Sequence, residues 1–190
     1  MRKFIPITLT FAVAIVLSCS SKIKTTSGTT RYKSDSLWVT VTSDNLSENL
    51  TGNDEILVMC YLYRDSMTLD ELLFGQKLRI NAKNLSRKFK LKLHNDIGDR
   101  PMLLFLVEQD SETPLRQIDS TLRVSHRNIM TEFKKGNYSG IEKYLGDEDV
   151  LGYEMISAMD YNAPNLYHFS GVYKLDRYEY WVKIETARHY

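Results

Sequence analysis

The sequence contains little that would tie it to a disulfide framework, a metal or a nucleotide. It has two cysteines, Cys19 and Cys60, and four prolines in 190 residues. No HExxH, CxxC, glycine-rich phosphate loop or GxSxG segment occurs, and no histidine has a metal-ligand partner three to five residues away. These absences disfavour the enzyme classes that short motifs reveal, so we expect a protein that binds rather than catalyses.

The chain also lacks an excess of charge of either sign. It carries 25 Lys and Arg against 24 Asp and Glu, a formal net charge of +1. A strongly charged partner is therefore not implied, and the balance argues against nucleic acid.

The only long apolar run lies near the beginning of the chain. Arg2 and Lys3 precede it, residues 4–17 form it, and Ser18-Cys19-Ser20 follow. This is the layout of a secretory signal peptide. The run is shorter than the roughly 20 residues that a membrane-spanning helix needs, so a permanent transmembrane helix is the weaker interpretation.

The residues before Cys19, which are Val16, Leu17 and Ser18, resemble the lipobox of bacterial lipoproteins, and the Leu-Ser-Cys-Ser arrangement is similar to lipoproteins of the Bacteroidetes group. The resemblance implies cleavage before Cys19, a diacylglycerol on its sulfur and acylation of the new amino group. Two or three acyl chains anchor a protein stably to a membrane. The alternative is an ordinary signal peptide with an incidental cysteine.

The resemblance also indicates a location and a division of the chain. Surface-exported lipoproteins of that group carry acidic residues after the cysteine, whereas Lys22 and Lys24 stand here. We therefore expect an outer-membrane anchor with the protein facing the periplasm. Residues 1–18 are the predicted signal peptide, residues 19–35 a lipidated polar tether, and residues 36–190 a single domain.

Cys60 lies inside an apolar run, residues 56–63, and has no disulfide partner if Cys19 is lipidated. We interpret it as a buried small hydrophobic residue, because a reactive cysteine needs a polar and partly exposed setting.

Alternating and continuous apolar runs predict an all-β fold. Residues 36–43 alternate, with Leu37, Val39 and Val41 on one face, and residues 55–63 are apolar enough for an interior strand. Residues 87–93 alternate between basic and apolar, which is typical of an edge strand with lysines in water, the alternative being a lipid-binding patch. We also predict a helical turn within residues 66–74, a helix over 129–144, and strands over 77–80, 102–108 (paired with the preceding strand), 150–156, 166–172 and 178–186.

Seven or eight short strands with one helical insertion and turn-rich loops predict an antiparallel β-sandwich. The segment Asp147-Glu148-Asp149 before Val150-Leu151-Gly152, together with Glu108 and Asp110 after the apolar run 102–107, resembles the synaptotagmin-type calcium- and lipid-binding sandwich. That resemblance implies a calcium site at Asp110, Asp147 and Asp149. A solvated acidic loop is the alternative, and no other cofactor is expected.

Aromatic residues concentrate towards the end of the chain. Tyrosine and tryptophan are favoured at protein interfaces because they combine apolar area with a polar tip. Core packing and cross-strand pairing are the alternative. The residues that we select as a candidate partner surface are Tyr173, Tyr178, Tyr180 and Trp181.

Together these features predict a membrane-anchored, periplasm-facing lipoprotein that is a structural or accessory binding component of an envelope assembly. In kind it is similar to the small outer-membrane lipoproteins that help to tether type VI secretion machines. The expected partners are the membrane, through lipid on Cys19, and other envelope proteins. The alternatives are a calcium-dependent lipid- or ligand-binding sandwich and a periplasmic enzyme.

Overall fold

The computed structural model describes residues 36–45, 54–65, 68–92, 97, 100–157, 163–173 and 176–187. All of them belong to one compact unit, Arg31–Tyr190, and the other unit, Met1–Thr30, lies outside the described residues. The described elements are β1 (Ser36–Asn45), β2 (Asp54–Tyr63), β3 (Leu69–Ile80), β4 (Ser86–Lys92), β5 (Met102–Glu108), α1 (Leu115–Lys134), α2 (Tyr138–Leu145), β6 (Asp149–Ile156), β7 (Asn165–Tyr173) and β8 (Asp176–Thr186).

Two antiparallel sheets of four strands form a sandwich, which confirms the predicted fold class. The first sheet has the order β4-β1-β8-β7 and the second the order β3-β2-β5-β6. The two helices lie between β5 and β6 in the chain, so they are the predicted helical insertion. Neither helix is long and apolar enough to cross a membrane.

The space between the two sheets holds the first core. Leu37, Val39 and Val41 of β1 point into it and are fully buried, as the alternating pattern predicts. Cys60 also lies in this core, and its burial raises the pKa of the thiol to about 12. This confirms that Cys60 packs as a small hydrophobic residue.

A second core lies between the second sheet and the helices. Strands β2 and β5 are the central strands of that sheet and are buried on both faces, which explains why both read as continuous apolar runs. Their alternate residues, such as Met59 and Phe105, pack against the apolar stripe of α1. That stripe consists of Ile118, Leu122, His126 and Ile129, at the spacing of one helical face.

Three sequence-based predictions are wrong. Residues 69–74 are not a helical turn but the first half of β3, which pairs with β2 along its whole length and contains two register shifts that blur the period of two. Strand β5 pairs with β2 and β6 rather than with the preceding β4. The helical segment begins at Leu115 rather than near residue 129. The prediction missed its first part because a buried histidine interrupts the apolar pattern of α1.

The two helices are separated by a sharp break. Gly136 has φ of 67°, a left-handed conformation that glycine adopts at little cost. The Asn137 side chain then accepts a hydrogen bond from the Gly140 N–H at 3.3 Å and begins α2. The predicted helix over 129–144 is therefore two helices.

Candidate functional site: the outer face of the first sheet

The two outer faces of the sandwich differ in what covers them. The helices cover the outer face of the second sheet, whereas no described helix or strand covers the outer face of the first. Both tryptophans of the sequence lie on this uncovered face, Trp38 on β1 and Trp181 on β8, and both are half-buried. We call the surface formed by Trp38, Trp181, His168, Lys88 and Lys90 the tryptophan face.

Trp38 is surrounded by basic side chains from the edge strand β4. Cross-strand pairing places Lys90 opposite Trp38. The Nζ atoms of Lys88 and Lys90 lie 4.6 Å and 5.7 Å from the centre of the indole ring, within the range of cation–π attraction. Lys88 also forms an ion pair with Glu185 at 3.2 Å, which holds it across the sheet.

Trp181 is held by two neighbours, one of which is itself anchored by a third residue. Its Nε1 donates a hydrogen bond to Asp44 Oδ2 at 2.8 Å. The His168 ring, from the facing position of β7, stacks on the indole with centres 4.1 Å apart and 18° between the planes. His168 Nε2 in turn lies 3.0 Å from Glu179 Oε1. These contacts restrict the indole to one orientation and make it a preorganised contact surface.

The structure divides the aromatic residues that were predicted to contact a partner. Tyr178 and Tyr180 are buried in the core between the sheets, so a partner does not reach them, and for these two the alternative of core packing applies. Trp181 lies on the outer face. Tyr173 belongs to β7, but its side chain is outside the described part of the chain. Successive side chains of β8 point to opposite faces, so Tyr178 and Tyr180 share the inner face and Trp181 lies on the outer one.

Sequence reasoning missed Trp38, Lys88, Lys90 and His168 as members of one surface. The alternation of residues 36–43 and 87–93 already places Trp38 and the lysines on solvent-facing sides of their strands. Their proximity depends on the register between β1, β4 and β8, which no local pattern reveals.

The three aspartates of the predicted calcium site are separated by burial. Asp110 and Asp147 are exposed, whereas Asp149 is buried at the start of β6, opposite Glu108 of β5. Within the described ranges, no three His, Cys, Asp or Glu side chains converge as a metal ion requires. The structure does not bring Asp110, Asp147 and Asp149 together as one ligand set.

The residue between two of these aspartates, Glu148, is the one with a defined structural role. It is 1% exposed, its Oε2 accepts the Asp110 N–H at 3.1 Å, and its Oε1 accepts the Ser111 hydroxyl. The Ser111 hydroxyl hydrogen goes to Glu148, so the Thr113 hydroxyl, whose oxygen is 2.6 Å from that of Ser111, donates to Ser111. This chain of hydrogen bonds fixes the loop between β5 and α1.

A small polar cleft of about 190 Å³ lies beside that loop, between α1 and the end of α2. Its hydroxyl, amide and carboxylate groups suit hydrogen bonds to a small polar molecule, and the nearby carboxylates disfavour an anion. Its polar lining consists of Ser111, Thr113, Gln117, Thr121, Tyr144 and Asp147.

His126 is the polar residue of the helix-facing core. It is 3% exposed, its ring meets the Tyr63 ring edge-on at 6.0 Å, and neither ring nitrogen has a hydrogen-bond partner among the described residues. Burial lowers the pKa of His126; the nearby carbonyls of Arg123 and Leu122 oppose this, and the charge of Arg127 acts in the same direction as burial. Burial therefore disfavours the protonated imidazole in the folded protein.

We predict that His126 makes the folded state sensitive to mild acid. As the pH falls below about 6.5, His126 binds a proton in the unfolded chain but not yet in the folded protein. The free energy of unfolding therefore decreases with falling pH. This decrease ends once the pH is below the lowered pKa of folded His126. His126→Leu removes this loss, and the melting temperature of the variant should fall less between pH 7.5 and pH 5 than that of the native protein. Ile129→Val, on the same buried face of α1 and without a titratable group, is the control and should keep the native dependence; an equal acid loss in native protein and His126→Leu would contradict the prediction.

Comparison with known proteins adds no relative. No family model matches the chain, and no curated protein matches it. Cys19, the predicted lipidation site, the signal segment 1–18 and the tether 19–35 all lie outside the described residues.

Proposed function

We propose that the protein is a lipid-anchored envelope component that uses the tryptophan face to bind another envelope protein. The single observation that carries the proposal is the difference between the two outer faces of the sandwich. Helices cover one, and the other displays the two tryptophans among lysines without a described element above it. This surface is the binding part of the proposed structural or accessory role.

The composition of the face supports a protein partner. Trp is among the residues that contribute most to binding free energy when a partner excludes water from it. Trp38 and Trp181 are held by neighbouring side chains, so little conformational entropy is lost when they are covered.

The charge of the face indicates the kind of protein surface that fits it. Strand β4 carries Lys88, Lys90 and Lys92 on its exposed side and contains no acidic residue. A partner with acidic groups around an apolar centre would complement the two indoles and this basic edge, and the charges would favour encounter and orientation.

The membrane part of the proposal rests on the lipobox resemblance. A lipid on Cys19 would hold the sandwich at the outer membrane, facing the periplasm, within reach of envelope assemblies. A type VI secretion machine is the assembly class that the resemblance in kind suggests, and the support for it is that likeness alone.

The test is a crosslinking pull-down of the native protein from membranes, compared with Trp38→Ala and Trp181→Ala. If the tryptophan face binds the partner, each variant should recover the same envelope protein at least tenfold less than native, because a central indole is worth roughly 2 kcal/mol or more. Val124→Ala is the matched control: Val124 is 83% exposed on α1, and its loss should leave recovery unchanged. Equal recovery with all four proteins would overturn the assignment of the face.

A further inference from the structure

The four edge strands of the sandwich differ in how they resist pairing with another strand. An edge strand presents unpaired N–H and C=O groups, and proteins protect such edges with charged side chains, bulges or a covering element. The edges here are β4 and β7 in the first sheet and β3 and β6 in the second. Comparing the four shows which of them is open to a partner strand.

Three of the edges carry such protection. Lysines alternate along β4. Strand β3 contains Asp70, Glu71, Lys77 and Arg79. Strand β6 contains Asp149 and Glu154, and its pairing with β5 shifts register between Leu106 and Val107. Each of these edges would bring charge or an irregular backbone against an incoming strand.

Strand β7 has neither the charged side chains nor the bulges that protect the other three edges. Its nine residues, NLYHFSGVY, include no Lys, Arg, Asp, Glu or Pro. It pairs with β8 from Asn165 to Tyr173 without a register shift. Two large apolar side chains on it are exposed to solvent, Leu166 at 58% and Val172 at 49%. The strand is regular, contains no Lys, Arg, Asp or Glu, and exposes an apolar side chain near each end, and such an edge can pair with another strand.

We propose that β7 pairs antiparallel with β7 of a second copy of this chain, around a two-fold axis at Phe169. In that register Leu166 of each copy stands opposite Val172 of the other, and His168 opposite Ser170. The two exposed apolar residues then cover each other, and no like charges meet at neutral pH. The strand is complementary to itself, which favours a second copy over an unrelated strand.

The hydrogen bond between Tyr138 and Val172 shows which backbone groups face the edge. The Tyr138 hydroxyl, from α2, donates to the Val172 carbonyl oxygen at 3.1 Å. That carbonyl therefore points away from β8. Along an antiparallel strand, the N–H and C=O of every second residue point to the same side. The backbone groups of Leu166, His168 and Ser170 therefore also point to the open edge of β7. The carbonyl of Val172 has a second lone pair for a partner strand.

Pairing of this kind would enlarge the proposed binding surface. His168 of β7 stacks on Trp181, so the tryptophan face reaches the strand that would form the dimer contact. Two copies joined at β7 would form one continuous sheet of eight strands with both tryptophan faces on the same side. The dimer would thus present two equivalent contact sites side by side.

The test is disulfide crosslinking with a copper–phenanthroline oxidant in intact cells that make the full chain. In the proposed register the Cα atoms of residues 166 and 172 of opposite copies are about 5.5 Å apart, within the range that a disulfide bridges. The double variant Leu166→Cys/Val172→Cys should form a covalent dimer. A mixture of the two single variants, Leu166→Cys and Val172→Cys, produced in the same cell should also do so. Either single variant alone should not, because identical residues lie roughly 20 Å apart across the axis.

The matched control is Ser86→Cys/Lys92→Cys on β4, the other edge of the same sheet. These positions are exposed and have the same six-residue spacing, and we expect no dimer from them. Leu166→Lys is a second, independent variant and should convert the native dimer to monomer in light scattering. Monomer in every crosslinking sample, a dimer in the single or β4 variants, or a crosslink to a different protein would each overturn the proposal.

Discussion

Phe105→Ala is expected to lower the free energy of unfolding by about 3–5 kcal/mol, the usual cost of removing a buried phenylalanine. Phe105 is 0% exposed on the central strand β5, faces the helices, and lies opposite Met59 and Tyr153 in the flanking strands. Its ring centre is 6.0 Å from that of Tyr153. Removing the ring leaves a cavity that neighbours on three elements cannot fill without moving, so the loss is a large fraction of a typical domain stability.

Urea unfolding, followed by two signals, measures this effect and tests whether the helical layer unfolds with the sandwich. Both tryptophans lie on the first sheet, so fluorescence reports on that sheet, whereas circular dichroism at 222 nm reports mainly on α1 and α2. The two transitions should shift together. Phe89→Ala, at a half-buried position on the edge strand β4, is the control and should cost less. A shift of the dichroism signal alone would show that the helices melt separately.

Tyr180→Phe is expected to lower the free energy of unfolding by about 1–3 kcal/mol by removing a single oxygen atom. The Tyr180 hydroxyl donates to Asp54 Oδ2, and both residues are 0% exposed. The bond joins β8 of the first sheet to β2 of the second. Without the hydroxyl, the Asp54 carboxylate stays buried and loses a donor, which costs more than the hydrogen bond itself contributes.

The matched control for this prediction is Tyr178→Phe. Tyr178 lies two residues away in the same core, 3% exposed, with its ring centre 6.4 Å from that of Tyr180. Its hydroxyl has no carboxylate partner in the described contacts, so its removal should cost less than that of the Tyr180 hydroxyl. Equal losses for the two variants, measured as urea midpoints at constant slope, would contradict the role of the link to Asp54.

The elements that were predictable from the sequence are those whose pattern follows from local burial. Strand β5 matches its prediction because both of its faces are buried, and β1 because Leu37, Val39 and Val41 share one buried face. The beginning of β3 was misread because its pairing with β2, a long-range contact, determines its conformation. The N-terminal half of α1 was missed because His126 occupies a core position where an apolar residue is expected.

The candidate site was less predictable because it depends on register and on the direction of single side chains. Trp181 and Tyr180 were selected together as partner-binding residues, but Trp181 lies on the outer face and Tyr180 points into the core, since successive residues of a strand face opposite sides. In the acidic segment the sequence drew attention to Asp147 and Asp149, and the structure assigns the buried anchoring role to Glu148 between them. A segment that joins a helix to a strand has no period from which such directions could be inferred.

The central claim, that a lipid on Cys19 holds this sandwich at a membrane, is tested most directly by the mass of the N-terminal peptide from the membrane-bound protein. The account predicts a chain that begins at Cys19 and carries a diacylglycerol group on sulfur with a further acyl group on the amino terminus. Cys19→Ala should lose both the modification and the membrane association. A mature chain that begins elsewhere, or an unmodified Cys19 thiol that reacts with an alkylating reagent, would contradict it.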